Sequence, residues 1–233
     1  MVKRKLIRKI HRYLGLFIGI QFIFWTISGL YFSWTNLDEI HGDQFKEINY
    51  KSDYYTDLVT MDSLNISKGI NSIELREIGD TPYFWVNNET LYNAHTGTIK
   101  DGITENDALN IAAKHIKSSY IVKSIELINE SGSHHEYRDR ILPAYVISYD
   151  DKSRLKAYIS KEDGKFQTVR HRGWRWFDFL WMTHTMDYRT RDNFNTLLLR
   201  AFSLLGFFTV LSGFTLWMIT SGSLKRIPGQ EDF

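Results

Sequence analysis

The fold is decided by residues 8–34, RKIHRYLGLFIGIQFIFWTISGLYFSW, where a basic cluster leads directly into a long apolar run. Residues 13–34 are long enough, at about 1.5 Å per residue, to cross a bilayer core of roughly 30 Å. Residues 197–219 form a second run of this kind. The first run is longer than the roughly 7–15 residues of a signal-peptide core, and no A-x-A-like cleavage site follows it. The sequence therefore predicts two transmembrane helices, the first of them a retained anchor.

The charges beside the two apolar runs predict how the chain crosses the membrane. Six Lys or Arg residues lie among the first twelve residues, and Lys225 and Arg226 follow the second run. Because cytoplasmic segments carry an excess of Lys and Arg, we expect residues 1–12 and the tail 220–233 to be cytoplasmic. In a bacterium, residues 35–170 would then form an extracytoplasmic domain of an inner-membrane protein, facing the periplasm or the cell exterior.

Composition restricts the chemistry that this chain can perform alone. The 233 residues carry a formal net charge of +2 and include no cysteine. The bulk charge gives no indication of nucleic-acid binding. The absence of cysteine excludes disulfides, Fe–S clusters, thiol catalysis and c-type haem attachment. There is also no dinucleotide fingerprint, so nicotinamide or flavin chemistry would require a partner. Any redox chemistry must use a cofactor that other side chains hold.

Short strands and one amphipathic helix predict an α+β domain between the two spans. The helix is ITENDALNIAAKHI, with Thr104 as N-cap, Asp107 three residues later, and Ala108, Ile111 and Ala112 on one face. We expect an antiparallel sheet with this helix across it, and residues 60–100 and 101–170 as two similar sheet units. The predicted strands are SIELREI, PYFWVNN, TLYNAHTG, SYIVKSIELIN, PAYVISYDD and LKAYISKEDGKFQTVR, the last containing an EDG turn, and TGTIKDG is predicted as a turn.

Several of these motifs occur together in one known family. The predicted helix, followed by PAYVISYDD and AYISKEDGKF, resembles a PepSY domain. The stretch HRYLGLFIGIQFIFWTISGLYFSW, together with LSGFTLWM, is similar to the PepSY-associated transmembrane family. The resemblance covers both spans and most of residues 101–220. Some members of that family are haem-containing inner-membrane reductases of ferric iron or ferric siderophores, and others have no assigned activity. The resemblance therefore implies the architecture more directly than the chemistry.

One face of the first span combines a histidine with glycines. A flat macrocycle lying against a helix needs side chains missing where it approaches the backbone, and Gly15 and Gly19 meet that need beside the imidazole of His11. The same spacing is the small-xxx-small pattern by which membrane helices pack, and an interfacial histidine can simply contact lipid headgroups. The resemblance implies the first reading, because His11 matches the HRxLGL element of the family. The stripe consists of His11, Gly15, Ile18, Gly19, Phe22, Trp25, Thr26 and Gly29.

Residues 171–196 are predicted to form an aromatic segment in the outer membrane interface, where Trp and Tyr concentrate. His184 resembles the family histidine ahead of the last span, which implies a second metal ligand at the membrane face opposite His11. His41 or His171, expected on the same outer side, could be its partner. Four arginines could bind haem propionates or, equally, phosphate headgroups: Arg170, Arg172, Arg189 and Arg191.

The expected cofactor is haem b, held between pairs of imidazoles. One chain offers no partner to His11, because TSGSLKR at the cytoplasmic end of the second span lacks histidine. The partner would come from a second copy across a two-fold axis, which predicts a homodimer in the lipid bilayer.

Two functions from different classes remain open at this point. In the first, the protein transfers electrons from a quinol or a cytoplasmic reductase to an extracytoplasmic acceptor, with ferric iron or a ferric siderophore as substrate. In the second, it is a membrane-anchored binding or regulatory module that inhibits a protease or assists assembly of a membrane complex. The first function predicts a red protein, and the second a colourless one.

Overall fold

The chain folds into two compact units. The computed structural model describes residues 2–47, 50–132, 134–138 and 140–221. The helical unit contains Met1–Trp34 and Asp178–Phe233, and the sheet unit contains Thr35–Phe177. The predicted cytoplasmic tail from residue 222 onward, with Lys225 and Arg226, lies outside the described residues, as does Met1.

Two long helices, α1 (Val2–Trp34) and α5 (Leu197–Thr220), form most of the helical unit. The stretches Lys5–Trp34 and Leu197–Thr220 are long and apolar enough to cross a membrane. At 1.5 Å per residue they measure about 45 Å and about 36 Å, against a bilayer core of roughly 30 Å. Only 17% and 11% of their most apolar windows are buried within the protein. Most of their apolar side chains therefore face outward, unlike those of a core helix in a soluble domain.

The two long helices contact each other along a narrow seam. Ile18 of α1 is fully buried there. The rings of Phe17 and Phe202 stack with their centroids 5.5 Å apart. At Gly206 the helices approach so closely that an added Cβ would lie 3.1 Å from the Phe22 ring. The start of α5 is fixed by Thr196, whose hydroxyl oxygen accepts the Leu199 N–H at 3.1 Å.

The aromatic segment folds as helix α4 (Arg172–Thr185), followed by a turn organised by Asp187. The Asp187 carboxylate accepts the backbone N–H groups of Arg189, Thr190 and Asn193 at 3.2, 3.1 and 2.9 Å. Burial raises the pKa of Asp187, but these bonds and one from the Thr190 hydroxyl outweigh it and hold the pKa well below its usual value. The turn is thus fixed by an ionised carboxylate.

The sheet unit contains two four-stranded antiparallel sheets, each with its strands in sequence order. The fold is therefore α+β, as the sequence predicts. A short helix, α2 (Leu37–Ile40), and two 3-10 turns, Asp43–Phe45 and Met61–Ser63, precede the first sheet. The strands are β1 (Ile73–Ile78), β2 (Thr81–Val86), β3 (Thr90–Asn93), β4 (Ile99–Lys100), β5 (Val122–Ile128), β6 (Ala144–Tyr149), β7 (Lys156–Ser160) and β8 (Phe166–Arg170).

Helix α3 (Glu105–His115) lies where the capping signal predicts it. The Thr104 hydroxyl oxygen accepts the Asp107 N–H at 3.1 Å, and the Asp107 carboxylate accepts the Thr104 N–H at 2.9 Å. The predicted apolar face is buried and packs against β1 and β6 to β8, so residues of both sheets share one core around α3.

Two strand predictions are corrected by the structure. The segment LKAYISKEDGKFQTVR is not one strand but the hairpin of β7 and β8, which turns at Gly164 with φ of +68°. Strand β4 lies within TGTIKDG, which was predicted as a turn only, because two residues are too few to show an alternating pattern.

Candidate functional site

His11 lies on α1 with its ring against α5, where Nδ1 is 2.7 Å from the Ser212 hydroxyl oxygen. That oxygen is also 2.7 Å from the carbonyl oxygen of Thr209. A carbonyl can only accept, so the single hydroxyl proton of Ser212 goes to Thr209, and Ser212 accepts the proton of His11 Nδ1. In the neutral ring the lone pair is then on Nε2, the nitrogen that can bind a metal.

His184, in the last turn of α4, has the same arrangement with a serine of α1. Its Nδ1 lies 2.6 Å from the Ser28 hydroxyl oxygen. Ser28 is fully buried and donates its proton to the carbonyl oxygen of Phe24, at 2.7 Å. The Ser28 oxygen therefore accepts from His184 Nδ1, and Nε2 again holds the lone pair. Partial burial lowers the pKa of His184, which favours this neutral form.

Two polar side chains of α1 hold the end of α4 that carries His184. The Gln21 amide donates to the carbonyl oxygen of Thr183 at 3.1 Å, and the Trp25 indole donates to that of His184 at 2.7 Å. The last carbonyls of a helix have no partner within the helix. Gln21 and Trp25 supply those partners, and the Phe32 ring meets the His184 ring edge-on with centroids 5.6 Å apart. The imidazole of His184 is thus fixed by α1 on several sides.

The two histidines lie at opposite ends of the helical unit. His11 and Ser28, which holds His184, are 17 positions apart on α1. At 1.5 Å per residue this corresponds to about 26 Å along the helix, close to the roughly 30 Å of a bilayer core. One iron ion therefore cannot take both imidazoles of one chain as ligands.

The predicted glycines lie beside open space. Apart from its chain neighbours and the adjacent backbone of α1, a Cβ added at Gly15 or at Gly19 would meet no atom within 4 Å in the described part of the chain. The glycine that lies close to His11 is on α5: a Cβ added at Gly213 would lie 3.2 Å from Cε1 of His11. Gly15 and Gly19 therefore do not mediate packing between α1 and α5, and the helix surface next to His11 remains accessible to another group.

The other two candidate ligands, His41 and His171, belong to the sheet unit. His41 is exposed at the end of α2. His171 is buried, and both of its ring nitrogens are engaged: Nε2 donates to the carbonyl oxygen of Ile40 at 3.1 Å, and Nδ1 accepts the Gly173 N–H at 3.2 Å. Burial lowers the pKa of His171. His171 could bind a metal only by giving up a hydrogen bond.

The four arginines differ in burial and in whether their guanidinium groups already bind a protein group. Arg170 is buried, donates to the Glu136 carbonyl oxygen at 2.8 Å and lies 4.0 Å above the Trp174 ring. Arg191 is paired with buried Asp178. Arg172 and Arg189 are exposed. Arg189 thus remains the candidate nearest to His184 in sequence for a propionate or a lipid phosphate.

Sequence reasoning missed the residues that orient the two histidines. Ser28, Ser212 and Gln21 stand out only as polar side chains within apolar runs, a placement that marks functional positions in membrane helices. Their partners come from other helices, so no local spacing could identify the pairs.

Comparison of the chain with protein-family models, with curated proteins and with solved structures returned no match. The resemblance to PepSY proteins therefore stays a prediction, and the function must be argued from the site.

Proposed function

We propose that this chain is an inner-membrane b-type haem protein that transfers electrons across the membrane to an extracytoplasmic acceptor, with ferric iron or a ferric siderophore as substrate. The observation that carries the proposal is the pair of histidines at the two ends of the helical unit, each with Nδ1 held by a serine and Nε2 uncommitted in the described residues.

The surface of the helical unit supports a place in the lipid bilayer. Large apolar side chains such as Leu16, Ile20 and Phe207 are 72%, 63% and 58% exposed. In water this surface would be unfavourable by roughly 25 cal/mol per Å² of apolar area, whereas lipid tails cover it. The basic residues that precede the apolar part of α1 support a cytoplasmic start for this helix.

The donor set suits haem iron. Neutral imidazole is a common axial ligand of haem, and a ligating histidine usually donates its other N–H to a neighbouring group that fixes the ring. His11 and His184 both meet this requirement. The open surface at Gly15 and Gly19 would let a flat ring lie against α1 beside His11. When bound, haem supplies a one-electron couple at each membrane face.

A homodimer would complete both sites. The helical unit contains two histidines, and they are too far apart to share one iron. A two-fold axis parallel to α1 would bring His11 to its copy and His184 to its copy, and would form a four-helix bundle. Two coordinated imidazoles leave no open position for O₂, as electron transfer requires.

The reaction needs no proton transfer by a side chain. A cytoplasmic reductase would supply one electron for each ferric ion, or a quinol would supply two electrons for two ferric ions and release two protons to water as it becomes quinone. Each ferric ion of the substrate would take up one electron on the outer side and leave as ferrous ion. His11 and His184 would hold the redox centres, and Ser212 and Ser28 would orient the two imidazoles. The sheet unit, which we expect on the outer side, would present or position the acceptor.

The proposed activity is tested by reducing the detergent-purified protein with dithionite, removing the excess dithionite, and mixing the protein with ferric citrate or a ferric hydroxamate under anaerobic conditions. We expect reoxidation of the protein together with formation of ferrous iron, measured with a ferrous chelator. The His184→Ala variant should lose the part of this reaction that the outer-face haem carries, and the His95→Ala variant, altered at an exposed histidine of the sheet unit, should keep the full reaction. A reduced protein that no ferric acceptor oxidises would contradict the proposal.

A further inference from the structure

We infer that Ser28 and Ser212 are positioning residues that set the tautomer and the ring orientation of His184 and His11. The metal-binding consequence of this inference rests on the proposed function, whereas the tautomer itself does not. Each serine lies on a different helix from its histidine, so both act across a helix contact.

The direction of the hydrogen bonds carries the inference. A serine hydroxyl has one proton, and in both residues that proton has an acceptor in its own helix: Phe24 for Ser28 and Thr209 for Ser212. The hydroxyl oxygen can then only accept from the imidazole. If the serine instead donated its proton to Nδ1, no proton would lie between the serine oxygen and the backbone carbonyl oxygen 2.7 Å away. Both rings are thereby held with the proton on Nδ1 and the lone pair on Nε2.

The same serines also orient the rings. A neutral imidazole that ligates a metal must aim Nε2 at the ion, and the bond at Nδ1 fixes the remaining rotation about the side chain. A hydroxyl is a neutral acceptor, so it raises the basicity of the ligand less than a carboxylate would. In both sites, therefore, a serine hydroxyl oxygen is the partner of the histidine Nδ1. The distance is 2.7 Å at His11 and 2.6 Å at His184.

The chain offers matched controls for this role. Thr215 on α5 donates to the carbonyl oxygen of Leu211 at 2.8 Å, and Ser33 on α1 donates to that of Leu30 at 2.9 Å, which are the same kinds of backbone bond. Both residues are exposed and neither holds a histidine in the described structure. Thr215→Ala and Ser33→Ala therefore remove a hydroxyl of a membrane helix without affecting an imidazole.

The test is the ¹⁵N NMR spectrum of haem-free protein labelled at histidine, at pH 8, where ordinary imidazoles are neutral. We expect His11 and His184, assigned by comparison with their Ala variants, to be protonated at Nδ1. Ser212→Ala and Ser28→Ala should move their own histidine toward the Nε2–H form, and Ser→Thr, which keeps the hydroxyl, should restore it. The control variants should change neither signal.

A second readout separates this inference from the proposed function. In the haem-loaded protein, loss of either serine should weaken haem binding by about 10- to 100-fold, the usual effect of removing such a partner. Nε2–H tautomers in the wild type, or tautomers that the serine variants leave unchanged, would overturn the inference. Correct tautomers in a protein that binds no haem would support the inference and refute the haem proposal.

Discussion

Replacing Gly15 and Gly213 by alanine, one at a time, makes the same chemical change in two different environments. In a helix interior, alanine is more favourable than glycine by about 0.5–1 kcal/mol. At Gly15 the new methyl group meets nothing within 4 Å, so Gly15→Ala should gain that amount. At Gly213 the methyl lies 3.2 Å from Cε1 of His11, closer than ordinary contact. Overpacking costs about 1–3 kcal/mol, so the Gly213→Ala variant should be less stable than Gly15→Ala by about this cost.

Thermal unfolding of the haem-free, detergent-solubilised variants measures this difference. For a chain of this size about 1 kcal/mol moves the midpoint by about 2–4 °C, so Gly213→Ala should unfold several degrees below Gly15→Ala. The haem content should follow a different order. If a flat group lies against α1, Gly15→Ala should lose haem although its fold is intact. Equal midpoints, or a Gly15→Ala protein with full haem absorbance, would refute this reasoning.

Three further predictions concern groups that stabilise the sheet unit or the helical unit. Thr104→Ala removes the cap of α3 and should cost about 1 kcal/mol of unfolding free energy in urea titration, while no change would argue against the capping box. Burial raises the pKa of Glu136, but hydrogen bonds from Arg175 and Tyr158 outweigh it and lower the pKa overall. The stability that Glu136 contributes is therefore present above the unfolded pKa near 4.5 and is lost as the pH falls through the lower folded pKa. Glu136→Gln should remove that loss from a plot of stability against pH. Asp178→Ala leaves the partly buried Arg191 without this carboxylate and should cost at most about 3–5 kcal/mol, the range for a fully buried pair, visible as a lower unfolding midpoint. A midpoint within error of the wild type would contradict a stabilising role for the pair.

Length, apolar runs and capping signals predict much of the architecture. The two long helices follow from their apolar length, and α3 follows from Thr104, Asp107 and the buried face of Ala108, Ile111 and Ala112. These features depend on neighbours within one or two turns. A local pattern does not show pairing between strands. Such pairing divides LKAYISKEDGKFQTVR into β7 and β8, and it also defines the short strand β4.

The seam between α1 and its neighbours lies to one side of the predicted stripe. At 100° per residue, Gln21 and Ser28 lie about 80° and 100° from His11 on one side of the helix, whereas Gly15 and Gly19 lie about 40° and 80° on the other. The first pair is buried, the second pair faces open space, and Thr26 of the predicted stripe is exposed. Gln21 and Ser28 face α4 because they form hydrogen bonds with it. Hydrophobic periodicity does not predict such bonds.

The most direct test of the account is the optical spectrum of the purified protein, oxidised and dithionite-reduced, for wild type, His11→Ala, His184→Ala and the His95→Ala control, after expression with adequate haem. The account predicts a red wild type with a b-type spectrum, a partial and separate loss in each of the first two variants, and no loss in the control. A colourless wild type, or a spectrum that neither His11→Ala nor His184→Ala changes, would contradict it and leave the anchored binding module as the better description.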